Sequence, residues 1–221
     1  MHLAEVVTIS CTIPEGPMDQ HFYEPRLGHG LPHDPFKAIV APRPIGWIST
    51  VDAEGRVNLA PYSFFNAFNS NPPIVGFASE GRKDSLRNVE ATGEFVCNLA
   101  TRPLAEVMNR SSAPLPHGES EMSFAGIEAA PSRLVKPPRV ANTPAALECR
   151  LLQVVPLKNL DGAALETHLV LGQVVGVHID RVYLRDGIFD TKGARPIGRC
   201  GYRGDYAEIG EMFEMFRPTL G

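Results

Sequence analysis

Residues 43–63 read RPIGWISTVDAEGRVNLAPYS, and this stretch decides the fold prediction. Residues 45–51 are rich in β-branched and aromatic side chains, which favour a strand. The tetrapeptide DAEG at residues 52–55 places a glycine where a hairpin turn needs left-handed backbone. Residues 57–60 then return in the opposite direction. The stretch therefore predicts an antiparallel β-hairpin.

Strands separated by turns also dominate the rest of the chain, whose 20 glycines and 20 prolines fall between short apolar runs. Two short helices are expected among them. The first is capped by Asp84 or Ser85 and runs to Thr92, with Gly93 as its stop, and the second begins at Thr101 with Pro103 and runs to about Asn109. The further predicted strands are residues 74–79, 95–100, 146–155, 169–179 and 182–188, and residues 110–143 are predicted to be mostly loop. This order favours a mainly β fold, an antiparallel barrel covered by short helices, over an alternating parallel sheet.

The 221-residue chain predicts one main domain, residues 36–205, between two extensions. The N-terminal arm, residues 1–35, is dense in proline and glycine and is predicted to be irregular, although residues 3–13 could form a strand. The C-terminal tail, residues 206–221, has an amphipathic pattern and is predicted to pack on the barrel or on another subunit. Its apolar side chains are Met212, Phe213, Met215 and Phe216.

Composition excludes several classes of protein. The net charge is −4 and the lysines and arginines are scattered, which argues against nucleic-acid binding. No apolar run approaches the ~18 residues of a membrane span, and the N-terminus lacks the pattern of a signal peptide, so a cytoplasmic protein without membrane contact is expected. The four cysteines, at positions 11, 97, 149 and 200, form no CxxC pair, and Cys97 and Cys149 are predicted to be buried small apolar residues.

Several familiar ligand motifs are absent. There is no GxGxxG after a strand, no GxxxxGK[ST] and no GxSxG. The glycine-rich residues 198–204 precede no predicted helix, which disfavours a dinucleotide-binding Rossmann unit. His29 and His33 are four residues apart, with His21 nearby, but glycine and proline between them prevent a stable helix. No metal site is predicted.

Residues 81–85, GRKDS, are candidates for a phosphate site. Two cations and a hydroxyl precede a predicted helix, whose N-terminal amides and dipole favour an anion. A phosphate dianion needs several such donors. An ordinary charged loop with Asp84 as the helix cap explains the same pattern equally well.

Residues 60–66, APYSFFN, are candidates for contact with a flat ring. Pro61 removes one amide and interrupts strand pairing, and Tyr62 and Ser63 offer hydroxyls and amides to the polar edge of a ring. The alternative is an aromatic core strand with a bend. Phe64, Phe65 and Phe68 are expected to contribute partly to a core. The side chains of Arg43, Trp47, Ser49 and Thr50, one strand away across the hairpin, could converge on the same cleft.

Taken together, these motifs resemble the flavin reductase-like family. The strings that carry the resemblance are RPIGWIST at residues 43–50, NLAPYSFFN at 58–66, NPP at 71–73, FAS at 77–79, KDS at 83–85 and GEFVCN at 93–98. Residues 137–140, 146–149 and 171–178 extend the match, which covers residues 36–205. The resemblance implies an FMN-binding split β-barrel, antiparallel and Greek-key-like, that forms a homodimer with the flavin near the subunit interface.

The resemblance also assigns roles to residues. It implies that Arg43 is a further polar contact to the flavin. It also implies that His178 matches a histidine common in such proteins, although a buried histidine with a structural role fits equally well. The residues implied to contact the ring and ribityl chain are Ser49, Thr50, Ala60, Pro61, Tyr62 and Ser63, and those implied to hold the phosphate are Ala78, Ser79, Lys83 and Ser85. No catalytic side chain is assigned, because a bound flavin carries its own chemistry.

The predicted function is an NAD(P)H-dependent flavin reductase that transfers hydride to FMN, with an oxygenase or other redox protein as a possible electron acceptor. NADH and NADPH are both open as donors. One alternative is a flavoredoxin-like carrier that holds FMN without turning over NAD(P)H. Another is a split barrel that binds a different ligand, pyridoxal phosphate or haem.

Overall fold

The computed structural model describes residues 19–219, and the chain divides into two compact units, residues 1–35 and 36–221. The described part of the first unit is irregular apart from a 3₁₀ turn at Pro25–Leu27. Its histidines bond to backbone: His21 Nε2 lies 2.7 Å from the carbonyl oxygen of His29, and His29 Nδ1 accepts from the amide of Leu31 at 3.0 Å. The strand predicted at residues 3–13 lies outside the described residues.

The second unit is built mainly from antiparallel β-strands, which confirms the predicted fold class. Its strands are β1 (Arg43–Pro44), β2 (Gly46–Val51), β3 (Val57–Tyr62), β4 (Phe65–Ser70), β5 (Pro73–Glu80), β6 (Glu94–Leu99), β7 (Ala129–Ala130), β8 (Arg139–Val140), β9 (Ala145–Lys158), β10 (Ala164–Ile179), β11 (Leu184–Arg185), β12 (Ile188–Phe189), β13 (Ile197–Arg199) and β14 (Tyr206–Glu208). Its α-helices are α1 (Phe36–Ile39), α2 (Asp84–Thr92), α3 (Ala105–Arg110), α4 (Glu121–Ala125) and α5 (Thr191–Ala194), and 3₁₀ turns lie at Arg102–Leu104 and Arg181–Tyr183.

Seven strands form one antiparallel sheet in the order β3-β2-β6-β9-β10-β5-β4. The predicted hairpin is β2–β3, in register from Gly46 opposite Tyr62 to Val51 opposite Val57. The outermost strands of this order, β3 and β4, are separated in sequence only by Ser63 and Phe64. Because this link is short, the sheet curls and its two ends lie close together. The carbonyl of Phe64 in the link accepts from the amide of Ala78 at 2.8 Å, which extends the pairing of β4 with β5. Within residues 19–219, β3 and β4 do not pair with each other, so the sheet forms a split barrel.

The barrel interior is apolar and closely packed. Ile48, Phe77, Phe95 and Val170 are fully buried there, and Leu86 of α2 covers one end. Gly172 permits this packing, because a Cβ at that position would lie 2.4 Å from ring carbons of Phe95. Cys97 and Cys149 are free and buried in the same core, as predicted, and burial raises the pKa of both thiols.

A second core lies outside the barrel, where α3 and α4 pack on β3. Trp47, Leu59, Met108 and Met122 are its largest buried members. The indole Nε1 of Trp47 donates to Ser111 Oγ at 2.9 Å, which ties the end of α3 to the hairpin. This core fixes the position of residues 111–121 beside the barrel.

The structure corrects several predictions of secondary structure. Helix α2 begins at Asp84, so the N-cap position belongs to Lys83 rather than to Asp84 or Ser85. Residues 110–143 are mostly loop, as predicted, and also contain the short elements α4, β7 and β8. Residues 182–188 do not form a continuous strand. They contain the end of a 3₁₀ turn, the two-residue strand β11 and the turn that leads into β12. Within residues 19–219, no helix is long and apolar enough to cross a membrane.

The structure also corrects an expectation about packing. Phe64 and Phe68 were expected to contribute to the core, but they are 41% and 55% exposed, and only Phe65 packs against the barrel interior. In the tail, β14 pairs with β13, and Phe213 and Phe216 beyond it are more than four-fifths exposed in the single chain. Packing of the tail on another subunit stays a prediction.

Candidate functional site

The main cleft of the second unit has a volume of about 810 Å³ and opens between three segments. One wall is the end of β3 and the turn after it, residues 60–64. The second is the N-terminal end of α2 with residues 80–83 before it. The third is the loop after α3, residues 111–115, together with His117 and Glu121.

The N-terminus of α2 is open toward this cleft. Lys83 occupies the N-cap position in extended conformation, and its side chain makes no capping hydrogen bond. The carboxylate of Asp84 bonds instead to Arg87 at 2.7 Å and to His117 at 2.8 Å. The first-turn amides of the helix therefore keep their capacity to bind an anion.

The lysines and arginines of the cleft differ in whether they already form ion pairs within the protein. Arg82 is paired with Glu90, and Arg87 with Asp84. Lys83 makes no ion pair within residues 19–219. It is therefore a cation at the helix N-terminus whose charge no acidic side chain of this part of the chain neutralises.

Ser85 is fixed in the first turn of α2 by a buried polar network. Asn58 on β3 donates through Nδ2 to Ser85 Oγ at 2.8 Å and lies 3.3 Å from Thr50 Oγ1. Asn88 of α2 also donates to Thr50 Oγ1, at 3.0 Å. Since Ser85 accepts from Asn58, its own hydroxyl proton is available to a ligand.

Tyr62 places a hydroxyl at the base of the cleft. The residue is 7% exposed, and among residues 19–219 its Oη is one of two buried side-chain polar atoms with no hydrogen-bond partner. Burial raises the pKa of Tyr62, and the nearby hydroxyls of Ser85 and Ser79 offset only part of this effect. A buried hydroxyl without a partner is costly, and a ligand polar atom would satisfy it.

Most of the predicted contact residues line this cleft, and four do not. Those in the lining are Ala60, Pro61, Tyr62, Ser63, Ala78, Lys83 and Ser85. Thr50 and Ser79 lie just behind it: Thr50 holds the amides of Asn58 and Asn88, and Ser79 Oγ donates to the carbonyl of Gly81 at 2.9 Å. Ser49 faces elsewhere and donates to the carbonyl of Pro138 at 2.5 Å.

Arg43 is also engaged within the protein. It is buried, and its guanidinium donates to the carbonyls of Lys37, Val40 and Cys200, the last two at 2.6 and 3.0 Å. The guanidinium also lies 5.8 Å from the centre of the Phe64 ring. Arg43 therefore holds the segment around α1 against the C-terminal part of the unit, and it sits behind Phe64 rather than in the lining.

His178 lies outside the cleft lining and pairs with a buried carboxylate. Its Nε2 contacts Oε1 of Glu148, which is fully buried. Glu148 also accepts from the amides of Arg133 and Leu134, at 2.7 and 2.6 Å. Burial acts to raise the pKa of Glu148, but these bonds outweigh it and hold the pKa below its usual value.

Sequence reasoning missed the third wall of the cleft. Glu121 is almost fully buried, and its Oε2 accepts from the amide of Leu59 at 2.9 Å. His117 reaches across to Asp84 on α2. One signal in the sequence could have predicted helix α4: Ser120 is a helix N-cap residue and Gly126 a helix stop. The segment between them is only about one turn long, so it does not stand out in a loop-rich stretch.

The fold and the cleft define a class: an antiparallel split barrel with a cleft at the N-terminal end of α2. Comparison with known proteins agrees. The flavin reductase like domain matches residues 40–197, most of the chain. The chain belongs to the flavin reductase-like family, which supports a flavin-binding oxidoreductase.

Relatives and solved structures extend the likeness over nearly the whole chain. A Deinococcus radiodurans protein is 38% identical over 211 residues, covering 90% of each chain. The structure of nitrilotriacetate monooxygenase component B from Bacillus cereus is 29% identical, with a TM-score of 0.78, covering 92% of this chain and 98% of that one. The structure of 2-nitrobenzoate 2-nitroreductase from Pseudomonas fluorescens is 26% identical, with a TM-score of 0.73, covering 84% and 89%.

Proposed function

We propose that the cleft binds FMN and that the protein is an NAD(P)H-dependent flavin reductase. The observation that carries the proposal is the convergence of Lys83, Ser85 and the uncapped N-terminus of α2 at one end of the cleft, with the unpaired Tyr62 hydroxyl at its base. These groups suit a ligand that has a phosphate at one end and polar atoms along its length.

The phosphate would lie at the N-terminus of α2. Lys83 supplies a cation without an internal partner, Ser85 supplies a hydroxyl that Asn58 already orients, and the first-turn amides supply backbone donors. Charge-assisted hydrogen bonds of this kind are the strong ones in proteins. We place Ala78 and Ser79 at the same end of the cleft. Ala78 lines the cleft, and Ser79 holds the turn before α2 by its hydrogen bond to the carbonyl of Gly81.

The ring and ribityl chain would lie along residues 60–64. This segment joins the two edge strands of the barrel, so part of its backbone is free of sheet pairing, and Pro61 interrupts the donors further. Phe64 offers an exposed ring face beside them. The cleft volume, about 810 Å³, falls within the ~300–1,000 Å³ typical of small-molecule and cofactor sites.

When bound, FMN would supply the hydride-accepting chemistry. The residues of this chain would hold the flavin in place, and donors along residues 60–63 would favour a reduced, negatively charged ring. No side-chain acid or base is assigned to the reaction. NADH or NADPH would approach over the open side of the cleft, and an oxygenase is proposed as acceptor because one similar structure is a monooxygenase component.

The proposal includes a homodimer. Strand β4 lies at one end of the sheet order and exposes Phe68, and the long strands β9 and β10 expose Leu152, Leu165 and Val177. Apolar side chains on adjacent strands of this kind are typical of subunit contacts. Sedimentation velocity of Phe68→Asp beside the wild type tests it: a dimer that the substitution weakens supports the proposal, and a wild-type monomer contradicts it.

The phosphate assignment is tested by the double variant Lys83→Ala/Ser85→Ala. Each lost charge-assisted bond is worth about 1.5–3 kcal/mol, so FMN binding measured by fluorescence quenching should weaken at least tenfold. Lys136→Ala is the matched control, because Lys136 is exposed and outside the cleft. Unchanged affinity in the double variant would contradict the assignment.

A further inference from the structure

Glu121 is a buried carboxylate in the lining of the cleft that the proposed reduction does not use. Its residue exposure is 8%, and it sits in the first turn of α4, which packs on β3. Its only hydrogen bond to another residue within the described chain comes from the amide of Leu59, at 2.9 Å on Oε2. The same cleft contains Lys83 and Ser85.

The arginines and the histidine around Glu121 are bonded to other groups, and the lysines that line the same cleft, Lys37 and Lys83, make no ion pair with it within residues 19–219. Arg87 and His117 both bond to Asp84, and Arg56 bonds to Asp52 and Glu54. Arg110 of α3 donates to the carbonyl of Phe124. Within residues 19–219, Glu121 makes no ion pair. The other titratable groups on the packed elements are Asp84 and Tyr62 in the cleft, Lys83 at its phosphate end, and the exposed Glu106 and Glu119.

An anion that enters this cleft meets a second negative charge that no cation compensates. Like charges in a poorly solvated site repel each other. The Glu121 carboxylate can relieve this repulsion by taking up a proton. Burial already raises the pKa of Glu121, the amide of Leu59 opposes this, and the nearby Asp84 carboxylate raises it further. A bound phosphate would act in the same direction as Asp84.

We propose that Glu121 couples binding of a phosphate-bearing ligand to proton uptake, so that the cleft holds such a ligand more tightly at acid pH than at alkaline pH. The inference rests on the proposed function, since it takes FMN as the ligand and Lys83 with Ser85 as the phosphate site. Linkage requires the converse as well: a phosphate in the cleft makes Glu121 harder to ionise.

Isothermal calorimetry tests the coupling, because titrations of FMN in buffers of different ionisation enthalpy count the protons taken up on binding. The key variant is Glu121→Gln, which keeps an oxygen to accept from Leu59 but cannot ionise. The matched control is Glu119→Gln, two residues away, exposed and outside the cleft. Titration of the phosphate, whose second pKa is ~6, contributes equally to all three proteins.

We expect the wild type and Glu119→Gln to take up a larger fraction of a proton than Glu121→Gln in the pH range where Glu121 titrates. We also expect FMN to bind Glu121→Gln more tightly than the wild type above that range, by about threefold to tenfold. Riboflavin, which lacks the phosphate, should show no such difference between the proteins.

Equal proton uptake by the wild type and Glu121→Gln, with FMN still binding, would overturn the coupling and leave the proposed function intact. A difference in proton uptake between the wild type and Glu121→Gln that is as large with riboflavin as with FMN would overturn it as well. A protein that binds neither flavin would instead contradict the proposed function.

Discussion

Asn58 and Ser85, 27 residues apart in sequence, are joined by a buried hydrogen bond of 2.8 Å from Asn58 Nδ2 to Ser85 Oγ. The bond connects β3 of the central hairpin to the first turn of α2. Because Thr50 accepts from both Asn58 and Asn88, the network reaches from the hairpin into the body of the helix. It fixes the side-chain hydroxyl at the phosphate end of the cleft.

Asn58→Ala should therefore weaken flavin binding, and because Asn58 itself lines the cleft, the substitution also removes its amide group from the lining. Ser85 would lose the donor that orients it, and the expected loss is about 0.5–1.5 kcal/mol in FMN affinity and a similar loss in the free energy of unfolding. Fluorescence titration and urea unfolding measure the two. Asn142→Ala, at an exposed position, is the control, and wild-type affinity in Asn58→Ala would show that the network does not organise the site.

Gly172→Ala should destabilise the barrel. The added Cβ would lie 2.4 Å from ring carbons of Phe95, which is fully buried, so a ring or a strand must move. Overpacking of this kind costs about 1–3 kcal/mol. The measurement is urea unfolding against Gly210→Ala, where a Cβ meets nothing within 4 Å. Equal stability of the two variants would mean that β10 passes Phe95 less closely than described.

Glu148→Gln should destabilise the protein at neutral pH and much less in acid. The buried carboxylate accepts from two amides and from His178, and an amide side chain would turn a donor toward one of them. The expected loss is about 1.5–3 kcal/mol. Because the pKa of Glu148 is lowered in the folded state, its stabilisation is present above the usual carboxyl pKa of 4.5 and is lost as the pH falls through the folded value.

Unfolding free energies of wild type and Glu148→Gln, measured from pH 7 down to about pH 3, provide the check. Glu211→Gln, in the exposed tail, controls for loss of one negative charge. A difference between wild type and Glu148→Gln that stayed constant over this range would show that ionisation of Glu148 does not stabilise the fold.

The local pattern of the sequence predicts the hairpin and helix α2 well. Residues 45–60 combine strand-forming side chains with a turn glycine, and Gly93 at φ 72° ends α2 where predicted. These features depend on neighbours in sequence, so local propensity suffices. The segments around Pro61 and Lys83 were found for the same reason, since each is a compact motif.

Features that depend on tertiary packing were not predictable in this way. Helix α4 is a single turn, held in place by Met122 in the second core and by the bond of Glu121 to Leu59, and neither contact is visible in a local pattern. The exposure of Phe68 follows from the place of β4 at the end of the sheet order. Arg43 resembles a ligand contact in sequence, but three backbone carbonyls brought together by the fold accept from its two terminal nitrogens.

The proposed reductase function is tested most directly by the visible absorbance spectrum of the purified protein with one equivalent of FMN, recorded before and after NADH or NADPH is added without oxygen. We expect flavin bands that are shifted by the protein environment and that bleach when the nicotinamide is added. Bands that persist with both donors would contradict the reductase function and leave a flavin carrier. A protein that takes up no FMN would contradict the site itself.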